Sequence, residues 1–179
     1  MTPFGMYWLY NGNSHYATGE PVTTSTLHDF DFFVGRWRVH HRQLKRRLAG
    51  CEDWISFSGT TATQLLMDGH GNMDDNVLDL PGGPYRAVTL RAFDMKSRQW
   101  SIWWLDGRTP SAPLDPPVRG AFKDGVGTFY AEDAYNGKPI RIRFIWSKIT
   151  AASCRWEQAF SPDQGQNWET NWIMNFERA

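Results

Sequence analysis

From Ile140 onward the chain alternates between apolar and polar side chains. Ile140, Ile142, Phe144 and Trp146 fall on one face, with Arg141 and Arg143 on the other. Cys154, Trp156, Gln158 and Phe160 alternate with Arg155 and Glu157. Trp168, Thr170, Trp172, Met174 and Phe176 alternate with Glu169, Asn171, Asn175 and Glu177. Successive side chains of a strand point to opposite faces, so period two with one apolar face marks a half-buried antiparallel strand.

Segments 36–44, 53–66, 72–80, 85–94, 98–106, 117–122 and 126–134 also read as strands. Turn chemistry divides them. Asp68-Gly69 and His70-Gly71 separate the second from the third, and Pro81-Gly82-Gly83-Pro84 precedes the fourth. Asp94 to Ser97 is a further link, and Asp124-Gly125 and Asn136-Gly137 are two-residue hairpin signals. About ten successive strands with short links predict an all-β fold, an antiparallel up-and-down barrel, because closure removes exposed sheet edges. A two-sheet β-sandwich is the alternative. Thr26 to Val34 predicts a short N-terminal helical turn, capped by Thr26 or Asp29, with Leu27, Phe30 and Phe33 on one side. Residues 1–26 show neither period and read as an extension ahead of a single domain over 27–179. The link 107–117 carries four prolines and reads as a lid or an external loop.

Ten tryptophans then matter. Each brings a flat apolar face and one N–H that needs a partner when buried, which implies an aromatic core or an aromatic cavity. Lys plus Arg and Asp plus Glu are 19 each. A net charge of zero argues against nucleic acid or an anionic membrane surface as partner. The run Arg42, Lys45, Arg46, Arg47 reads as a solvated strand end. Cys51 and Cys154 are isolated and read as free thiols packed as small hydrophobes. No stretch is apolar over about 18 residues. Met1 to Tyr16 lacks the signal-peptide pattern. No membrane span and a cytoplasmic address are expected, and a homodimer is allowed.

Phe32-Phe33-Val34-Gly35-Arg36-Trp37 resembles the opening of calycin barrels, the lipocalins, fatty-acid-binding proteins and their bacterial relatives. The stretch 30–178, with phrases such as GRW, LRAFD, QWSIWW and RWEQAFS, is similar to bacterial lipocalin-like proteins. The resemblance implies a barrel with a ligand cavity, in which Gly35 and Trp37 open the first strand and Arg178 on the last strand lies over Trp37. A guanidinium on an indole face is a cation–π contact. The Arg-x-Tyr carboxylate anchor of the fatty-acid binders is absent near the C-terminus, so a fatty acid is not the expected ligand.

Ser161 to Trp168 fits S-x-D-x-G-x-x-W, the Asp-box hairpin of propellers. Propellers repeat it once per blade, whereas this chain has it once, so Asp163 and Trp168 are expected to build a turn. His40 and His41 are adjacent and would point to opposite faces of a strand, so they cannot chelate one metal. Asp74, Asp75 and Asp79 lack calcium-loop spacing and read as a solvated face. No metal, haem or other cofactor is expected.

The leading functional expectation is a binding module for a small, largely hydrophobic, aromatic molecule. Trp54, Trp104, Trp146, Trp156 and Trp172 would supply its walls, and His41, Asn76, Arg91 and Gln158 its polar contacts. Arg91 is inward only if Tyr85, Thr89 and Phe93 are. The rival is a cofactor-independent isomerase, cyclase or hydratase in the same barrel, with His41 paired to an inward carboxylate such as Asp106 or Glu132.

Overall fold

The computed structural model describes residues 25–179. It contains β1 (Gly35–Leu44), β2 (Trp54–Leu66), β3 (Gly71–Leu80), β4 (Gly83–Asp94) and β5 (Gln99–Asp106). There follow β6 (Val118–Lys123), β7 (Val126–Tyr135), β8 (Lys138–Ser147), β9 (Ser153–Ser161) and β10 (Glu169–Arg178). Each strand pairs antiparallel with the next, and β1 also pairs with β10, so the sheet closes into an up-and-down barrel. The sandwich alternative is thereby excluded. At both predicted hairpins the two turn residues adopt positive φ, 51° and 76° at Asp124-Gly125 and 51° and 75° at Asn136-Gly137. That backbone twist matches the twist of the flanking strands.

The segment before β1 stoppers one end. Asp29 accepts the backbone N–H of Thr26 at 2.8 Å and its hydroxyl at 3.0 Å, which fixes the turn. A 3₁₀ turn at Asp31–Phe33 then leaves Phe30 and Phe33 1% and 0% exposed. Phe33 packs on Trp146, Phe176 and Trp37 with ring centroids 4.7, 5.0 and 5.4 Å away. The expected extension lies outside the described residues up to residue 24. Ser25 and Thr26 belong to the stopper: Ser25 Oγ accepts the Phe122 N–H at 3.2 Å and the Thr26 carbonyl accepts Trp100 Nε1–H at 3.2 Å.

Trp37 and Arg178 stand directly opposite each other in the β1–β10 ladder. The Arg178 guanidinium carbon lies 3.9 Å from the Trp37 ring centroid, and its Nη2–H donates to the Phe32 carbonyl at 2.8 Å. Gly35 has φ +116°, and a Cβ there would sit 2.8 Å from Arg178 Nη1, so glycine leaves room for the guanidinium. Arg178→Ala should cost about 2–3 kcal/mol, because it removes charge-assisted bonds to the partly buried carbonyls of Phe32 and Val34. The loss should appear as a lower Tm with ligand ranking unchanged. A Tm equal to that of the parent chain would contradict this role for the seam.

Strand alternation breaks once in β10. Thr170 pairs with Ala159 but Trp172 with Gln158, so Asn171 is an extra residue, and it is fully buried. Such a bulge flips the facing of everything before it. Trp168, expected to share the inner face of Trp172, instead packs outside against Tyr130 at 6.0 Å, beneath Arg143 at 4.3 Å.

The β9–β10 turn is held by Asp163. Its Oδ1 accepts the Asn167 backbone N–H at 2.8 Å and the Ser161 hydroxyl at 2.7 Å. Trp168 Nε1–H donates to the Gly165 carbonyl at 2.9 Å. The bonds from Asn167, backbone first, bring the Asp163 carboxyl down to about 2. A depressed carboxyl stabilises the fold fully above its unfolded value near 3.9, and that contribution disappears as pH falls toward 2. The stability difference between the parent and Asp163→Ala should therefore be present at pH 6 and vanish near pH 2. A pH-independent difference in chemical denaturation would contradict it.

The far end of the barrel is partly covered by the β1–β2 link. Leu48 packs on the cluster of Ile140, Ile142 and Phe160, and Arg47 lies 5.5 Å over the Phe160 ring. Lys45 and Arg46 are exposed as expected of the basic run, but Arg47 is folded back. Among the described residues no helix is long and apolar enough to cross a membrane.

Candidate functional site

On β4 the buried positions are Ala87, Thr89, Arg91 and Phe93, so Arg91 points inward. Its guanidinium donates from Nη1 and Nη2 to the two oxygens of Asp74 at 2.7 and 2.6 Å, and from Nη1 to Asn72 Oδ1 at 2.8 Å. Thr63 donates to the same carboxylate at 3.0 Å. Both charged side chains are 3% exposed. The rings of Phe30, Phe33 and Trp146 surround the guanidinium at 4.8, 5.3 and 5.3 Å. The solvated reading of Asp74 is corrected here. The inner face of β3 carries Asn72, Asp74, Asn76 and Leu78, a mostly polar face, so apolar alternation cannot reveal it. Asp75 is on the outer face and pairs with Arg86, and Asp79 is exposed. Arg91 is thus neutralised within the protein and forms the floor of the interior.

Above this floor lies a space of about 210 Å³. Its aromatic wall comes from three neighbouring strands and one across the barrel. Phe144 and Trp156 meet edge to face at 4.8 Å, Trp156 and Trp172 at 5.6 Å, and Trp172 and Trp104 at 6.2 Å. Trp146 borders the same space, with its N–H sealed into the wall without a partner among the described residues. Trp54 does not border it. It has the outward parity of Ser56 and Ser58 on β2 and lies beneath outward Arg42, whose guanidinium is 5.1 Å from its ring. The inner residues of that strand are Phe57, Thr61 and Thr63.

The polar candidates are held in distinct ways. Asn76 spans three strands: it accepts the Thr61 hydroxyl at 2.6 Å and donates to the Ala87 carbonyl and Thr89 hydroxyl at 3.3 and 3.2 Å. His41 is 3% exposed and stacks on Phe57 at 4.5 Å. Its Nδ1 accepts Trp172 Nε1–H at 3.2 Å, so the neutral ring carries its proton on Nε2. Burial, aided by neighbouring His40, lowers its pKa to about 4. A Cβ at Gly59 would come within 2.7 Å of His41 Nε2 and 2.5 Å of the Val77 carbonyl, so only glycine leaves room for the imidazole. Neither proposed acid reaches His41. Asp106 is bound by Arg108 and Glu132 by Arg141.

Gln158 owes its orientation to the bulge that alternation cannot foresee. Asn171 Nδ2–H donates to the Glu169 carbonyl at 3.5 Å, so Asn171 presents Oδ1, which accepts Gln158 Nε2–H at 2.8 Å. Gln158 Oε1 is left without a partner among the described residues and faces the cavity. Only its placement on an apolar face marked Gln158 in the sequence. Nothing marked Asn171.

The space has one side of looser wall. β6 meets β5 only where Trp100, Ser101 and Ile102 face Gly120, Arg119 and Val118. Beyond Ile102, β5 continues along β4 to Asp106, and β6 begins only at Val118, after the 107–117 link. Trp104 borders the space on one side of this gap, and Asp115, Pro116 and Asp133 on the other.

No family model and no curated protein matches the chain. Among solved structures it is similar to the S-type phycobiliprotein lyase CPES from Guillardia theta, at 11% identity over 87% of this chain and 93% of that one, with a TM-score of 0.56. A structure of EF1p2_mFAP2b bound to DFHBI is also similar, at 10% identity over 87% of this chain and all of that one, with a TM-score of 0.44. The likeness to the lyase is one of fold, and the ten-strand closed barrel fits the calycin-like architecture that the Gly-x-Trp opening implies.

Proposed function

We propose that the chain binds a small, largely apolar aromatic molecule inside its barrel. The observation that carries this reading is the space of about 210 Å³ walled by Trp104, Phe144, Trp156 and Trp172. An apolar cavity of about 150 Å³ takes up benzene, so a ligand of one or two fused rings fits. Drug-sized pockets usually run to about 300–1,000 Å³, which places larger ligands outside its range. No carboxylate among the described residues bonds to His41, which favours binding over acid–base catalysis.

The reading is tested by native mass spectrometry of the purified protein for retained small molecules, together with tryptophan-fluorescence titration against a panel of mono- and bicyclic aromatics. Saturable quenching by at least one of them is expected. Gln158→Leu should reorder the panel's affinities while moving Tm little, since the two side chains are of similar size. A panel that leaves the fluorescence unchanged would overturn the proposal.

A further inference from the structure

Four observations on the cavity share one electrostatic sign. The walls are indole and phenyl rings, whose faces carry partial negative charge and attract cations. Gln158, 8% exposed, turns an unpartnered carbonyl oxygen into the space because Asn171 holds its amide nitrogen. Arg91, the one guanidinium of the lining among the described residues, is neutralised by Asp74 at 2.6 Å. At the β5–β6 gap, Asp115 and Asp133 border the space without an ion-pair partner among the described residues, unlike Glu132 beside them, which holds Arg141 at 3.2 Å. Two buried N–H groups of the lining lack a partner among the described residues, Trp146 Nε1 and Arg91 Nε, and both are sealed from the space and offer nothing to an anion.

Resting on the binding reading above, we infer that the ligand is a small aromatic amine, its ring between Trp104, Trp156 and Trp172 and its ammonium at the gap beside Asp115 and Asp133. A cation there gains from both carboxylates and from the indole faces. A carboxylate of the same shape meets repulsion at the gap and no free cation inside.

Three probes of one shape and different charge separate charge selection from cavity binding: 2-naphthylmethylamine, 2-naphthylmethanol and 2-naphthoate, each titrated calorimetrically into the intact protein. The amine should bind at least about tenfold more tightly than the carboxylate, with the alcohol between. Raising the salt from about 0.01 to 1 M shortens the screening length from about 30 to 3 Å and should bring the amine toward the alcohol. Asp115→Asn combined with Asp133→Asn, both at exposed positions where folding is spared, should do the same at low salt. Naphthoate binding as well as the amine, or an amine affinity untouched by the double substitution, would overturn the charge assignment, and alcohol binding would then still uphold the cavity. Failure of all three probes to bind would overturn both readings.

Discussion

Asp74→Ala is expected to destabilise the barrel by about 3–5 kcal/mol, the cost of leaving a buried guanidinium without its anion. The expectation rests on burial. Arg91 and Asp74 are each 3% exposed, and the cation is ringed by Phe30, Phe33 and Trp146, which solvate a guanidinium without its anion poorly. Replacing both partners with apolar residues, as in Asp74→Leu with Arg91→Met, should recover most of the loss, since such exchanges of buried pairs are often neutral or stabilising. Urea denaturation of the two variants measures this directly. A single substitution that costs under about 1 kcal/mol would put the pair at the level of an exposed salt bridge. What the pair contributes is specificity: an inward arginine on β4 can be satisfied only when β3 presents Asn72 and Asp74 in this register.

Trp156→Ala should cost about 3–5 kcal/mol as well, the range for emptying a buried aromatic site. It should also weaken any aromatic ligand by more than tenfold. Trp156 is 6% exposed and joins Phe144 to Trp172 at 4.8 and 5.6 Å, so its loss removes the middle of the aromatic wall. The two effects separate by experiment. Thermal melts give the stability term, and titration of the remaining folded protein gives the affinity. A variant that melts lower but binds unchanged would move the ligand away from this wall.

The strand plan is legible in the sequence because turns and alternation are local. Asn136-Gly137 announces its hairpin without reference to the rest of the chain, and so does the aromatic face from Ile140 to Trp146. The site is less legible, for reasons that can be named. Asp74 sits on an inner face made of polar residues, whose partner Arg91 lies on the next strand, and only pairing reveals that each satisfies the other. Trp168 and Asn171 are misplaced by strict alternation because one extra residue in β10 reverses the count. Trp54 reads as a wall residue from its size alone, yet its strand faces it outward under Arg42. Arg47 looks solvated within a basic run, and its contact with Phe160 depends on how the β1–β2 link folds over the far end. Trp37, Trp146, Trp156, Gln158 and Trp172 are readable as inner residues because they lie on strands whose period is unbroken up to the bulge.

The seam between Trp37 and Arg178 also bears on how the molecule is made. The strand that begins the barrel must wait for the strand that ends it, since β1 and β10 pair with each other. While synthesis is under way, the free flank of β1 and that of the newest strand both offer unpaired N–H and C=O groups to any passing strand. Contacts so distant along the chain also slow folding, toward the millisecond-to-second range of β-rich domains. The exposed interval after release from the ribosome is therefore when this chain is most open to wrong partners. The aromatic stopper at Phe30 and Phe33, which needs Trp146 and Phe176 to pack against, can form only at its close.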